Sequence, residues 1–268
     1  MKSSWTVCLL ALALIPRTAS AQFSLDLTFS GDFSPSQETI IRGAASYWEQ
    51  QLVGYQPGIS LTGIPVSIEA VNFDGLGGVI ASGGPLAGTY QGGFGLTTSG
   101  RIRFDIPDLG AAESAGTLPD VAAHELAHVI GFGQMWIYNN VYVNGSGQYT
   151  GAFALDAYRS EFDPGAAFVP VELMGGAGTA DGHWDENTDG IGLTGITDSL
   201  GRDLANELMT GWDGPAPPVG GEMFVSQTTL HSFRDIGFVL APEPNGSILC
   251  ALSGLVLFLH RRRLPLAP

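Results

Sequence analysis

The tightest constraint in this chain is five residues long: His124-Glu125-Leu126-Ala127-His128. Histidines four positions apart project from one face of an α-helix, so a helix here lets both imidazoles grip a single ion. The flanking residues call for that helix. Leu118-Pro119-Asp120 opens it, with Asp120 near its positive end. Val121, Ala122, Ala123, Leu126, Val129 and Ile130 bury it in a core, and Gly131 stops it. Glu125 stands beside the first histidine, where it can reach water at an open coordination position without ligating the metal. Neutral imidazoles and a borderline-soft site favour zinc, which lowers the pKa of bound water toward about 7. The pattern predicts His124 and His128 as zinc ligands and Glu125 as general base. HExxH does occur by accident, but residues 22–241 hold only four histidines, and two of them fall in this arrangement.

A third ligand is needed. Many such sites continue as HExxHxxGxxH, and Gly131 supplies the glycine, but Gln134 stands where the histidine belongs. Glycine after the helix permits a sharp turn, so a later residue can return to the metal. On the residues alone the candidates are His183 and His231, with carboxylates such as Glu161 or Glu172 behind them.

Composition bounds the rest. Cys8 and Cys250 lie near the two ends, so residues 22–241 hold no thiol, and disulfides, cysteine-ligated zinc and a cysteine nucleophile are excluded there. The same stretch holds six arginines, no lysine and 25 acids, a net charge of about −19. That argues against nucleic acid or an anionic membrane as partner. It suits an exported protein able to bind calcium. Residues 1–21 read as a secretory signal, with Lys2, the apolar run Val7–Ile15 and Ala19-Ser20-Ala21 in order. The apolar run is too short for a membrane span of about 20 residues. Residues 241–268 combine Pro242-Glu243-Pro244, an apolar run from Ser247 to Leu259, and Arg261-Arg262-Arg263. This order resembles the bacterial PEP-CTERM sorting signal, which implies recognition by a membrane-bound exosortase, a cell-surface or extracellular destination in a Gram-negative-type bacterium, and membrane contact through this segment alone. A plain C-terminal anchor is the competing reading.

Between the ends, residues 34–50 read as a helix. Ser34 caps it, Pro35 takes the first helical position and Gln37 completes a capping box, with Ser36 as the alternative cap. Ile40, Ile41, Ala44, Ala45 and Trp48 form its apolar face. Pro65–Val71 and Gly100–Ile106 alternate as strands, and Gly151–Phe162 reads as another short helix. The glycine-rich stretch Asp74–Gly95 reads mostly as turn and loop. No linker divides residues 22–240, which form one domain.

Several segments now agree in order: VNFDGLGG (71–78), GRIRFDIPDL (100–109), HELAHVIGFGQMW (124–136), GAFALDAYRSEF (151–162), VPVELMGGAGTADGHW (169–184) and NELMTGW (206–212). Together they resemble the leishmanolysin-like metzincin peptidases over about residues 24–240. The resemblance implies an α/β (α+β), two-lobed zinc peptidase domain. A twisted sheet and the zinc helix fill the N-terminal lobe, and the C-terminal lobe is mostly irregular. It implies His183 as third ligand, Met209 in a tight turn under the metal, and His231 as structural. The activity implied is hydrolysis of peptide bonds in a peptide or protein substrate.

The chain departs from the family in having no long propeptide and no cysteine to latch the zinc. The stretch between His183 and Met209 is also longer than usual. It contains Asp185, Asn187 and Asp189 in a D-x-N-x-D-G pattern, a candidate calcium loop, although Ile196 replaces the glutamate an EF-hand needs. A competing functional reading is a non-catalytic exported surface or matrix protein with a zinc-stabilised metzincin-like fold. Retention of Glu125 counts against it, because a structural zinc needs no base and tends to fill all four positions.

Overall fold

The computed structural model describes residues 22–187, 191–211 and 222–242. The expected signal segment, nearly all of the expected sorting segment and Asp189 lie outside them. In chain order the elements are β1 (Ser24–Ser30), α1 (Pro35–Gln51), β2 (Leu52–Tyr55), β3 (Gly63–Val71), β4 (Ala81–Gln91), β5 (Phe94–Asp105), α2 (Ile106–Ala115), α3 (Leu118–Ile130), β6 (Gln148–Tyr149), α4 (Ala152–Glu161), β7 (Val169–Pro170), α5 (Gln227–Asp235) and β8 (Phe238–Leu240). No helix among the described residues is long and apolar enough to cross a membrane.

The architecture is mixed α/β, as expected, around a twisted mixed sheet of order β1-β3-β5-β4. β1, β3 and β5 run parallel, while β4 lies antiparallel at the edge. Period-2 alternation sends Ile64, Val66 and Ile68 of β3 into the core, with Ile102 and Phe104 of β5 beside them. α1 starts where the capping box puts it. Gln37 N–H donates to Ser34 Oγ at 3.1 Å, and Ser34 N–H donates to Gln37 Oε1 at 2.9 Å. Of the two cap readings, Ser34 holds. Ile41, Ala44, Ala45 and Trp48 bury its apolar face, and the Trp48 indole donates to Ala123 O at 2.8 Å, locking α1 onto α3.

One expectation needs correction. The stretch 74–95 is not mostly loop: β4 occupies Ala81–Gln91 and β5 already begins at Phe94. Gly83, Gly84, Pro85 and Gly88 hide the strand, because each lowers strand propensity. An edge strand tolerates proline, and the register breaks around Ala87 give the bulges that accompany it. The glycines are there because other groups press close. A Cβ on Gly84 would fall 2.5 Å from the Gln134 side chain, and one on Gly88 would fall 3.0 Å from Leu96 O. The expected strand Gly100–Ile106 is present as the second half of β5, which ends at Asp105 because Ile106 opens α2. Pro107 lies in its first turn, and Gly116 closes it at φ 78°.

After α3 the chain changes character. The helices are short and α4 and α5 pack side by side, each capping the other. Asp235, the last residue of α5, accepts Phe153 N–H and Ala154 N–H at the start of α4, both at 3.0 Å. Glu161, the last residue of α4, accepts Gln227 N–H and Thr228 N–H at the start of α5, at 2.7 and 2.8 Å. Neither histidine nor carboxylate here goes to the metal helix: Glu161 is an inter-helix cap, and His231 lies on α5 beside Arg234 and Phe153, away from His124 and His128.

Candidate metal centre

α3 presents His124 and His128 from one face, both buried. The helix ends at Gly131, whose φ of 138° turns the chain sharply. Two residues later, Gly133 has φ 75°, and a Cβ there would fall 2.6 Å from Gly182 O. The pair of glycines therefore lets the chain after the metal helix meet the loop that carries His183. That loop closes on itself, with Glu172 N–H donating to His183 O at 3.0 Å and Asp181 N–H donating to Glu172 O at 2.8 Å. Trp184 anchors its end. Its ring stacks on Trp136 at 4.8 Å, meets Phe132 edge-on at 5.0 Å, and donates Nε1–H to Thr229 Oγ1 at 2.8 Å.

The result is a triangle. The Nε2 atoms of His124, His128 and His183 stand 3.0–3.1 Å from one another. Each ring's other nitrogen meets a backbone carbonyl: His124 Nδ1 faces Leu208 O at 2.8 Å, His128 Nδ1 faces Phe132 O at 3.2 Å, and His183 Nδ1 faces Thr179 O at 2.9 Å. A carbonyl oxygen only accepts, so each Nδ1 carries the hydrogen and each Nε2 points a lone pair at the shared centre. Burial, with the neighbouring imidazoles, drives the His128 pKa well below its usual value. Burial and His124 lower that of His183 to about 3. His128 and His183 are thus neutral, as metal ligands must be. Three converging lone pairs repel one another, and a cation at the centre turns that repulsion into binding. Three donors on a tetrahedral zinc at about 2.0–2.1 Å lie about 3.3 Å apart, close to the observed edges. The donor set therefore fits a metal ion, and zinc in particular is compatible with it.

Glu125 lies beside the triangle, 8% exposed, on the floor of an open cleft of about 970 Å³. β4 runs along one wall, from Ala81 to Tyr90, and the loop Ala177–His183 forms the other. Gly83 of β4 presses against Glu125. A Cβ added there would fall 2.7 Å from its carbonyl oxygen and 2.9 Å from Oε2. Sequence reasoning passed over Gly83, and the only signal was a glycine pair in an apolar stretch. Among the described residues no lysine or arginine lines the cleft, whereas Glu125 and Asp181 do.

Met209 is fully buried in a turn that Thr210 N–H closes onto Glu207 O at 3.3 Å. Leu208 O of this turn holds His124, and Met209 O accepts Trp184 N–H at 2.9 Å beside His183. The sequence reading missed the group that fixes the turn. Glu207 is completely buried and accepts Met209 N–H at 2.6 Å, Ser226 N–H and Oγ–H at 2.9 Å, and Thr229 Oγ1–H at 2.6 Å. Burial still raises its pKa, outweighing those four donors. It looks like any other acid in the sequence, and only its donors mark it.

The candidate calcium residues are only partly placed. Asn187 adopts φ 62° and donates its N–H to Asp185 Oδ1 at 2.7 Å, while Asp189 is outside the described residues. Asp185 groups instead with Glu172 and Glu186, their carboxylate oxygens within 4.8 Å. Comparison of the sequence with known protein families finds no matching model, and comparison with curated proteins finds no match either.

Proposed function

We propose that the chain is a zinc-dependent endopeptidase with a two-lobed, metzincin-like domain. The observation that carries this reading is the lone-pair triangle of His124, His128 and His183, set in an open cleft with Glu125 beside it. A structural metal would be closed off by a fourth protein ligand, whereas a hydrolytic one keeps a position free. Zinc held by the three histidines supplies Lewis acidity toward a carbonyl and toward water. Glu125 takes a proton from the attacking water and passes it to the leaving amine. Gly83 keeps the space that lets the Glu125 carboxylate stand at the cleft floor. β4, at the sheet edge, offers its outward backbone groups to an extended peptide, which would lie in the cleft as an added strand. Met209 would serve as the floor of the metal site, through the turn that orients His124. Among the described residues no cation lines the cleft, and with acids at Glu125 and Asp181 this favours neutral or basic peptides over acidic ones.

The signal-like residues 1–21 and the PEP-CTERM-like residues 241–268 support export to the cell surface or beyond, with an exosortase-type enzyme as partner. The Glu125→Gln variant tests the catalytic reading. It should keep its zinc and lose peptidase activity on casein or a peptide library by a factor of about 10³ or more. Undiminished cleavage in that variant would refute the role of Glu125, and a chelator-insensitive wild-type activity would refute the zinc.

A further inference from the structure

The β4 wall of the cleft carries an apolar shelf that the zinc chemistry does not use. Its foundation is Gly95 of β5, which pairs with Tyr90 of β4 near the tip of the β4–β5 hairpin. The Asn139 carboxamide holds both backbone groups of that glycine. Gly95 N–H donates to Asn139 Oδ1 at 3.0 Å, and Asn139 Nδ2 donates to Gly95 O at 2.9 Å. Asn139 Nδ2 also donates to Met135 O at 2.8 Å. The short helical turn Ile137–Asn139 is thereby clamped onto the hairpin. Because Gly95 has no side chain, two tyrosines close over it: a Cβ there would fall 2.8 Å from Tyr138 Cβ and 3.4 Å from the Tyr90 ring. Tyr90 OH donates to Tyr138 O at 3.0 Å, which ties the two together.

Leu86 extends the shelf toward the metal. Pro85 pairs with Gly100 and Ala87 with Ser99, so Leu86 is the extra residue of a bulge, and a bulge re-aims its side chain out of the regular alternation. Tyr90 is 65% exposed, Leu86 57% and Tyr138 50%, with Ile137 exposed beside them. All four line the same cleft as Glu125 and the three histidines. A run of large apolar side chains left open to water, on a wall held this firmly, marks a binding surface. Tyrosine suits that role, since it offers a large contact area with few torsions to freeze. The opposite wall, residues 177–183, offers alanine, glycine and threonine and no large apolar side chain. β4 rises about 3.3 Å per residue, so Leu86 and Tyr90 lie roughly 10 and 20 Å along the wall from Gly83, which presses against Glu125. For an extended peptide with the same rise, that span is roughly three to six residues.

We propose that Leu86, Tyr90, Ile137 and Tyr138 form a distal subsite that selects substrates carrying an aromatic or aliphatic side chain roughly three to six residues to one side of the cleaved bond. The inference rests on the peptidase reading and names the substrate class of that same cleft: extended segments with an apolar anchor remote from the bond. The shelf is continuous with the cleft floor, which makes the substrate itself the occupant. A contact so far from the reacting atoms binds substrate and transition state equally, so it lowers KM and leaves kcat nearly alone.

The test maps the cleavage sites of the zinc-loaded full chain on a peptide library by mass spectrometry. Aromatic and aliphatic residues should be enriched at a position roughly three to six residues from the bond, on one side only. The double variant Tyr90→Ser, Tyr138→Ser should lose that enrichment, and its KM for a preferred peptide should rise about tenfold with kcat within about twofold of the wild type. Binding gives a readout free of turnover. On the Glu125→Gln chain, replacing the anchor residue of a fluorescent peptide with serine should weaken Kd about tenfold, and the same replacement should change little once both tyrosines are also replaced. Leu200→Ser, at an exposed apolar residue outside the cleft, should leave both readouts as they are. Cleavage with no preference beyond about two residues from the bond overturns this inference alone and leaves the peptidase reading standing. So does an enrichment that survives in the double variant. A wild-type chain that cleaves nothing overturns both.

Discussion

The stretch before the metal helix ends and the stretch after it are held together by different forces. Residues 22–130 form a sheet and three helices around a largely apolar interior: Ile41, Trp48, Ile64, Ile68, Phe104 and Leu126 are all fully buried. The described residues of 137–242 have short elements; Tyr149, Met209 and Phe233 are fully buried there too, but acids set the shape of the turns and helix ends. Glu207 fixes one turn, Asp203 accepts Thr194 N–H, Gly195 N–H and Ala205 N–H, and Asp235 and Glu161 cap the two helices. Apolar burial is non-directional and tolerates repacking. A carboxylate fanned by several amides is directional, so it fixes the path of a loop in a way that the apolar packing behind it does not. The histidine triangle draws two ligands from the first kind of structure and one from the second. Its weak side is therefore the acid-held one.

Glu207→Ala strains that comparison hardest. It strands donors at Met209, Ser226 and Thr229, and should cost about 3–5 kcal/mol of stability, since each buried donor left unmatched costs about 1–3 kcal/mol and relief of the buried charge offsets part of the sum. Because Leu208 O orients His124, zinc affinity should fall too. Urea unfolding alongside a zinc competition titration checks both. Ile68→Ala, with a similar expected cost of about 2–5 kcal/mol from a core cavity, should lower stability and leave zinc affinity in the native state alone. Equal effects of the two on zinc would erase the distinction.

Acid should act next most strongly on the metal-free chain. His128 and His183 have folded pKa values below the unfolded value of about 6.5, so the unfolded chain binds more protons as pH falls. Stability from these two is intact above pH 6.5 and drains away as pH drops from there toward the lowered folded values. About 2 kcal/mol should be lost between pH 6.5 and 5.5, at up to 1.4 kcal/mol per pH unit for each ring. Denaturant midpoints of the metal-free chain measured across this range would contradict the assignment if they stayed flat. The smallest effect belongs to the first region. Ser34→Ala removes one half of the capping box and should cost about 1 kcal/mol, with zinc content and activity unchanged.

What could be read in advance does not follow that division; in the second region Gly151–Phe162 was legible as α4. Helix α1 and its Ser34 cap, helix α3 and its stop at Gly131, and strand β3 were legible because apolar period and terminal residues carry their own signal. β4 was not, since its glycines answer to contacts with Glu125, Gln134 and Leu96 that lie far off in sequence. Strand β1 and helix α2 also went unread, although Pro107 and Gly116 mark the ends of α2. At the site, spacing alone gave His124, Glu125 and His128. On the residues alone His183 stood level with His231, and only family resemblance preferred it. What brings His183 in is a non-local set of contacts through Trp184, Gly133 and the turn at Met209, which no local pattern encodes. Glu207 and Gly83 were missed for the same reason.

The most direct measurement is X-ray absorption at the zinc edge on the full wild-type chain and on His183→Ala. The wild type should show about one zinc per chain with three imidazole nitrogens at about 2.0–2.1 Å and one oxygen. The variant should lose one imidazole from the shell and most of its zinc. An unchanged three-imidazole shell in His183→Ala, or a wild-type shell with two histidines and a carboxylate, would contradict the triangle on which everything else rests.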